Sequence, residues 1–174
     1  HGIFKENGLN IKPFQHEDIE KWQHTFTGIQ YHDEKHNFLL YGGVDDIMID
    51  EEDKLVVIDF KATAKKADIL SSADVYNNGE SYKRQLEVYS WLLQQNDFDV
   101  SNIGYLMYYN GDASKPHLGR EMYFRRTLVS FTLDTSWIGP QIEEMYNCLQ
   151  LNEAPDFNNS NCEDCLYLTT VSEL

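Results

Sequence analysis

Short β-favouring runs, Phe38 to Tyr41, Val44 to Ile49 and Leu55 to Phe60, alternate with polar clusters between Thr27 and Lys61 and predict an antiparallel meander. Further along the period changes. Tyr82, Leu86, Tyr89 and Leu93 recur at helical spacing among Gln, Glu and Arg, predicting a helix over Ser81 to Gln95 that Asn96 ends. The polar, small residues 62 to 79, closing on Asn77-Asn78-Gly79, predict a loop between the two. Ile103 to Tyr109, closed by Asn110 and Gly111, and Glu121 to Leu133 read as two more strands. Asp134 is then a candidate cap for an amphipathic helix over 135 to 151. Residues 1 to 26 carry no sustained period, although His16 to Trp22 suits a short helix. The order of strands, helix, strands, helix, without repeats, predicts a mixed α/β (α+β) domain.

Registering the hairpin by its apolar residues brings out the first chemistry. If Glu51, Glu52 and Asp53 form a three-residue connection, Ile49 faces Leu55, Ile47 faces Val57 and Asp45 faces Asp59. All lie on one side of the sheet, because strand side chains alternate, and Lys61 lies there too. One face is thus an apolar surface ending in two carboxylates and an amine. Opposed side chains have Cβ atoms roughly 5 Å apart, so two bare carboxylates repel. A divalent cation between them removes the conflict, and Mg2+, which takes oxygen ligands and keeps several waters, suits such a pair. Lys61 can then hold a phosphate oxygen or an attacking water. Spacing alone leaves a second reading level with this one: ordinary strand-end carboxylates, one paired with Lys61 in a surface salt bridge that contributes little.

Length bounds the architecture and charge complicates the chemistry. The chain has 174 residues, 41% hydrophobic, which predicts one domain over 1 to 174 with a poorly patterned segment 1 to 26 and a tail 152 to 174. No run approaches the roughly 18 apolar residues that cross a bilayer. The amino end shows neither a basic segment nor a cleavable apolar stretch, so the expectation is a soluble, cytoplasmic protein. It starts at His1 rather than Met, which points to a larger parent chain. An odd number of cysteines, Cys148, Cys162 and Cys165, argues against a disulfide framework. The formal charge of −15 opposes binding to phosphodiesters, which rests on Lys and Arg. A metal-loaded carboxylate cluster offsets it locally, and the cations are clumped at Lys61, Lys65 and Lys66, at Lys83 and Arg84, and at Arg120, Arg125 and Arg126. Arg125 and Arg126 point to opposite faces of a strand, so at most one of them reaches a phosphate. The cluster of Tyr105, Tyr108 and Tyr109 suits sheet packing, the preferred reading, or, if exposed, stacking on the bases of a single strand.

Three ordered motifs shift the balance between the two readings. Gly42-Gly43-Val44-Asp45, then Asp59-Phe60-Lys61, then Gln85-Leu86-Glu87-Val88-Tyr89 resemble the G-x-x-D, D-x-K and Q-x-x-x-Y series of the RecB-like branch of the PD-(D/E)XK nuclease superfamily. The resemblance spans roughly Gly28 to Asn110. It implies a restriction-endonuclease-like core, a mixed sheet flanked by helices in α-β-β-β-α-β order. It implies Mg2+ or Mn2+ held by Asp45, Asp59 and the Phe60 carbonyl, with Lys61 as catalytic lysine and Gln85 and Tyr89 turned toward the site from one helix face. DNA is the implied substrate, in repair, recombination or defence. Without the motif, a core-facing Tyr89 with a hydrogen-bonded Gln85 is the preferred reading of that pair.

Two departures from the family pattern matter. The family commonly adds a His or Glu ligand upstream; His1, Glu17 and Glu20 are candidates here and none carries a motif. Some relatives hold an iron–sulfur cluster on four cysteines. Cys162-Glu163-Asp164-Cys165 before Tyr167 resembles that terminal C-x-x-C, but no cysteine precedes the nuclease motifs and only Cys148 is available in addition, so a cluster would need a histidine or a partner chain and is not expected. Two rivals therefore stand: an inactive nucleic-acid-binding or assembly module on the same fold, and an unrelated acidic interaction domain.

Overall fold

The computed structural model describes residues 4–6, 9–75, 79–112, 114, 121–153, 167 and 170–171. In chain order the elements are β1 (Phe4–Glu6), β2 (Leu9–Pro13), α1 (Ile19–Trp22), β3 (Ile29–Asp33), β4 (Phe38–Gly42), β5 (Asp46–Ile49), β6 (Leu55–Thr63), a 3-10 turn (Ser72–Asp74), α2 (Glu80–Gln95), β7 (Ile103–Gly111), β8 (Phe124–Thr132) and α3 (Ile138–Leu149). The chain divides into two compact units, residues 1–138 and 139–174; all of α3 but its first residue belongs to the second. No helix among the described residues is long and apolar enough to cross a membrane.

Six strands form one sheet in the order β1-β2-β5-β6-β7-β8, while β3 and β4 pair separately. The β6–β7 pair is parallel and the others are antiparallel, so the sheet is mixed and the fold is α+β, as the patterning predicts. Parallel neighbours need a crossover, which α2 supplies. The apolar residues of α2 face the core, with Leu86, Leu92 and Leu93 fully buried. Asn96 ends it by donating through Nδ2 to the Leu92 carbonyl at 2.8 Å, and Asp97 then takes a left-handed turn at φ 65.

The hairpin register is the one its apolar residues select: Ile49 opposite Leu55 and Ile47 opposite Val57. These four pack into the larger core with α2 and with Leu106, Val129 and Phe131. Val56 and Ile58 point the other way, onto Ile11 and Met107. The start of β6 is therefore buried on both faces, and this is why Leu55-Val56-Val57-Ile58 reads as continuous apolar sequence rather than alternation.

The expected meander is corrected in one place. β4 pairs with β3, not with β5. The far edge of β5 is taken by β2 instead, Lys12 opposite Ile49 and Pro13 opposite Met48. Backbone bonding explains the break, since Val44 N–H donates to the Trp22 carbonyl at 3.1 Å, so the chain between β4 and β5 is tied to the end of α1. Asp134 does not cap α3, which begins at Ile138; its carboxylate accepts the Ser136 N–H at 2.9 Å. The predicted loop over 62 to 79 is shorter, because β6 runs on to Thr63 and a 3-10 turn follows.

Candidate active site

The site forms where β5 stops and β6 continues. The Asp45 carbonyl accepts from Gln23 Nε2 at 2.9 Å, so its backbone turns to α1 and not to β6. Its carboxylate takes over the pairing, Oδ2 accepting the Phe60 N–H at 2.8 Å. In an extended strand one residue's N–H and C=O leave on the same side. The Phe60 carbonyl therefore also faces the side that β5 has vacated, next to Asp45. The Phe60 ring lies on the opposite sheet face, its centroid 6.5 Å from that of Tyr109.

Asp59 is only 1% exposed. Lys61 Nζ lies 2.5 Å from Asp59 Oδ2, a close ion contact with a buried carboxylate. Burial pushes the Asp59 carboxyl above the usual carboxylate range; Lys61 opposes this and Asp45 adds to it. Asp46 is likewise raised, by burial first and then by Asp45.

The Lys61 ammonium is held from α2. It donates to Gln85 Oε1 at 3.3 Å and lies 5.0 Å from the centre of the Tyr82 ring. Gln85 Nε2 donates to Tyr89 Oη at 2.8 Å. Burial raises the Tyr89 phenol, with the Asp59 and Asp45 carboxylates adding to the shift, so Tyr89 lies within the field of the acidic pair. A β-carbon on Gly42 would lie 2.8 Å from Tyr89 Cε1. The glycine of G-x-x-D is thus what lets the tyrosine of Q-x-x-x-Y lie against β4. All three motifs meet through named contacts.

A model of the PD-(D/E)XK nuclease superfamily matches residues 4–170. The chain belongs to that superfamily. Curated proteins and solved structures gave no match. Members of this superfamily are generally nucleases that use divalent metals, and the fold is accordingly restriction-endonuclease-like.

The donor set suits a hard divalent cation. Asp45, Asp59 and the Phe60 carbonyl are oxygen donors on one edge, and the repulsion between the Asp45 and Asp59 carboxylates is what such an ion would relieve. Among the described residues no three His, Cys, Asp or Glu side chains form a metal-binding group. Glu17 and Glu20 are exposed and do not complete one; His1, Cys162 and Cys165 lie outside the described residues. Cys148 is exposed.

The five side chains expected to converge, Asp45, Asp59, Lys61, Gln85 and Tyr89, are brought together. The alternative for the helical pair also holds in part, since Tyr89 is a core residue hydrogen-bonded to Gln85. Sequence reasoning missed Tyr82 beneath Lys61 and Gln23 behind Asp45. Tyr82 carried a signal, lying one turn before Gln85 on the same helix face. It also packs edge-on against Tyr108, whose phenol burial and the neighbouring Tyr82 push up to about 12. The reading of Tyr108 as sheet packing stands, for it belongs to the core.

Proposed function

We propose that this chain is a divalent-metal-dependent deoxyribonuclease of the RecB-like kind, hydrolysing phosphodiester bonds in DNA during repair, recombination or defence, with residues 1 to 174 as one nuclease domain. The observation that carries the reading is the convergence of Asp45, Asp59 and Lys61 at the open end of the β5–β6 pair. Asp45, Asp59 and the Phe60 carbonyl would hold Mg2+ or Mn2+. When bound, such an ion makes water a stronger acid and offsets charge on the phosphate.

The rest of the chemistry belongs to side chains. Lys61 steadies the attacking water or a non-bridging phosphate oxygen as the bond to the leaving oxygen breaks. Gln85 and the Tyr82 ring fix the ammonium, and Tyr89 fixes Gln85. These contacts pre-position a flexible side chain whose four rotatable bonds would otherwise cost entropy at the moment of reaction. Water attacks phosphorus directly, so no covalent intermediate is needed.

A second reading, an inactive binding module, is favoured by the net charge of −15 and by a side-chain ligand group of fewer than three among the described residues. Cleavage of labelled single- and double-stranded DNA with Mg2+ or Mn2+, against an EDTA blank, separates the two. The enzyme cleaves, and Asp59→Ala and Lys61→Ala each lower the rate by about 100- to 1,000-fold. Absence of both cleavage and Mn2+ binding would leave the module.

A further inference from the structure

The β5–β6 ladder stops at Asp46 opposite Ile58, one exchange short of the site. Beyond it the Phe60 N–H still turns to the β5 side, where the Asp45 carboxylate accepts it. Residues two apart on a strand turn their backbone groups to the same side, so Ile58 does likewise. One step further along the same register, Val44 would stand opposite Phe60 and exchange both backbone bonds with it. The Val44 N–H would take the Phe60 carbonyl, and the Val44 carbonyl would take the Phe60 N–H. That exchange would occupy the carbonyl a cation needs and leave the Asp45 carboxylate without its anchor.

The end of α1 diverts the exchange. The Trp22 carbonyl accepts the Val44 N–H at 3.1 Å, and Gln23 Nε2 donates to the Asp45 carbonyl at 2.9 Å. Two consecutive upstream residues thus hold the backbone on either side of the Asp45 α-carbon. The helix has only four residues and keeps its place by packing. Trp22 is buried, its ring stacked on His16 with centroids 4.4 Å apart and edge-on to Phe98 at 5.5 Å. Phe14 stacks on the same His16 and donates its N–H to the Ile47 carbonyl at 3.0 Å, which ties this aromatic group to β5. Past Gln23 the chain turns, the Gly28 N–H donating to the His24 carbonyl at 2.8 Å, and the turn lies against Gly43. A β-carbon on Gly43 would meet Thr25 Cα at 3.1 Å and the His24 carbonyl oxygen at 3.3 Å. The second glycine of Gly42-Gly43 admits this turn, as the first admits Tyr89.

We propose that the end of α1 keeps the cation edge open, with Gln23 as the positioning residue that aims the Asp45 carboxylate. The inference rests on the nuclease reading and adds a neutral upstream side chain to what sets the metal affinity of that site. Gln23 acts through the Asp45 backbone: with the carbonyl fixed, the carboxylate is left facing the Phe60 N–H and the open edge. Groups that orient a metal ligand in this way govern affinity without touching the ion. Gln23 and Asp45 are both exposed. Water can therefore replace the bond between them, so its loss should free the Asp45 backbone to rotate while leaving global stability almost unchanged.

The test reads ligand geometry before any metal is added. In metal-free protein the Phe60 amide proton, deshielded by its bond to a carboxylate, should move upfield by NMR in Gln23→Met, a neutral side chain of similar length that cannot donate. Gln23→Glu, ionised at neutral pH, cannot donate either and should move it the same way. Gly43→Ala, which pushes the turn away from Asp45 with Gln23 intact, should act in the same direction. Mn2+ binding followed by EPR should be about 10-fold weaker in Gln23→Met than in the wild type, the low end for groups that orient metal ligands. The urea midpoint of Gln23→Met should match that of the wild type. An unmoved Phe60 amide in both Gln23 variants, or Mn2+ affinity that falls only in step with the urea midpoint, overturns the proposal. Undiminished Mn2+ binding by Gln23→Glu with an unmoved amide also overturns it, by making that side chain a direct ligand. Wild-type Mn2+ binding that Gln23→Met leaves unchanged would sink the positioning role alone. No Mn2+ binding by the wild type, with a Phe60 amide that still responds to Gln23→Met, would sink the metal-nuclease reading alone.

Discussion

The two halves of β6 are one continuous strand with different neighbours. From Leu55 to Ile58 it is sandwiched between β5 and β7 and buried on both faces. From Asp59 to Thr63 it keeps β7 but has outrun β5. Polar groups on that side need other partners, and the first to be satisfied is the Phe60 N–H, by the Asp45 carboxylate. Stability is concentrated where the ladder is complete, and candidate chemistry begins where it stops. A longer β5 would pair the Phe60 carbonyl and close the edge on which a cation could sit.

The sharpest way to break that comparison is to cut each half separately. Ile58→Ala removes a side chain with no exposure and should cost about 2–5 kcal/mol, read as a lower urea midpoint at unchanged slope. Its cleavage rate below the transition should stay near that of the wild type. Lys61→Ala should instead lower cleavage by two to three orders of magnitude, and because it leaves Asp59 buried without its counter-charge it should also cost up to about 3–5 kcal/mol of stability, too little to explain that loss below the transition. If both variants lose stability and activity in proportion, the halves are not separate devices.

Gly42→Ala should have a middling effect and act on both properties. Its β-carbon would need Tyr89 to retreat from 2.8 Å, at a cost of about 1–3 kcal/mol for an overpacked core. Because Tyr89 holds Gln85 and Gln85 holds Lys61, the displaced ring should also slow cleavage. Adding Tyr89→Phe to Gly42→Ala should then slow it no further, as the two changes act on one chain of contacts. Additive losses would mean that Gly42 matters to packing alone.

Sequence patterning read the complete half of the strand better than its edge. Ile47, Ile49, Leu55 and Val57 fixed the hairpin register, because a one-residue slip would turn every one of them to the wrong face. That same register, followed past its apolar end, brings Asp45, Asp59 and Lys61 to one face. The partners on the far side of β5 were illegible: β2 contributes only a short run containing Pro13, with no period to distinguish it from loop. Where β5 would stop was hidden too, since it depends on the Trp22 carbonyl and Gln23, more than twenty residues upstream. The basic residues past β6 were half legible. Lys65, Lys66 and Arg125 stood out as clumped charge, but only the register shows that Arg125, and not Arg126, shares the face of Lys61.

The smallest expected effect concerns what the second half of β6 runs into. Asp74 gathers the following segment, its Oδ2 accepting the Leu70 and Ser71 N–H groups at 3.0 and 2.9 Å and the Ser71 hydroxyl at 3.1 Å. The Leu70 N–H, then the Ser71 N–H and hydroxyl, hold this carboxyl below its usual range, with Lys65 adding to the shift. A group with a depressed folded value stabilises the fold above its unfolded value and loses that contribution as pH falls through the folded one. The segment should therefore stay ordered at neutral pH and loosen only below the ordinary carboxylate range. Amide shifts of Leu70 and Ser71, followed by NMR, should titrate with a midpoint below that of a free aspartate and should lose that step in Asp74→Asn. A midpoint at the ordinary aspartate value would mean that the loop is ordered by Asn110 and the buried Ile69, and that Asp74 only follows.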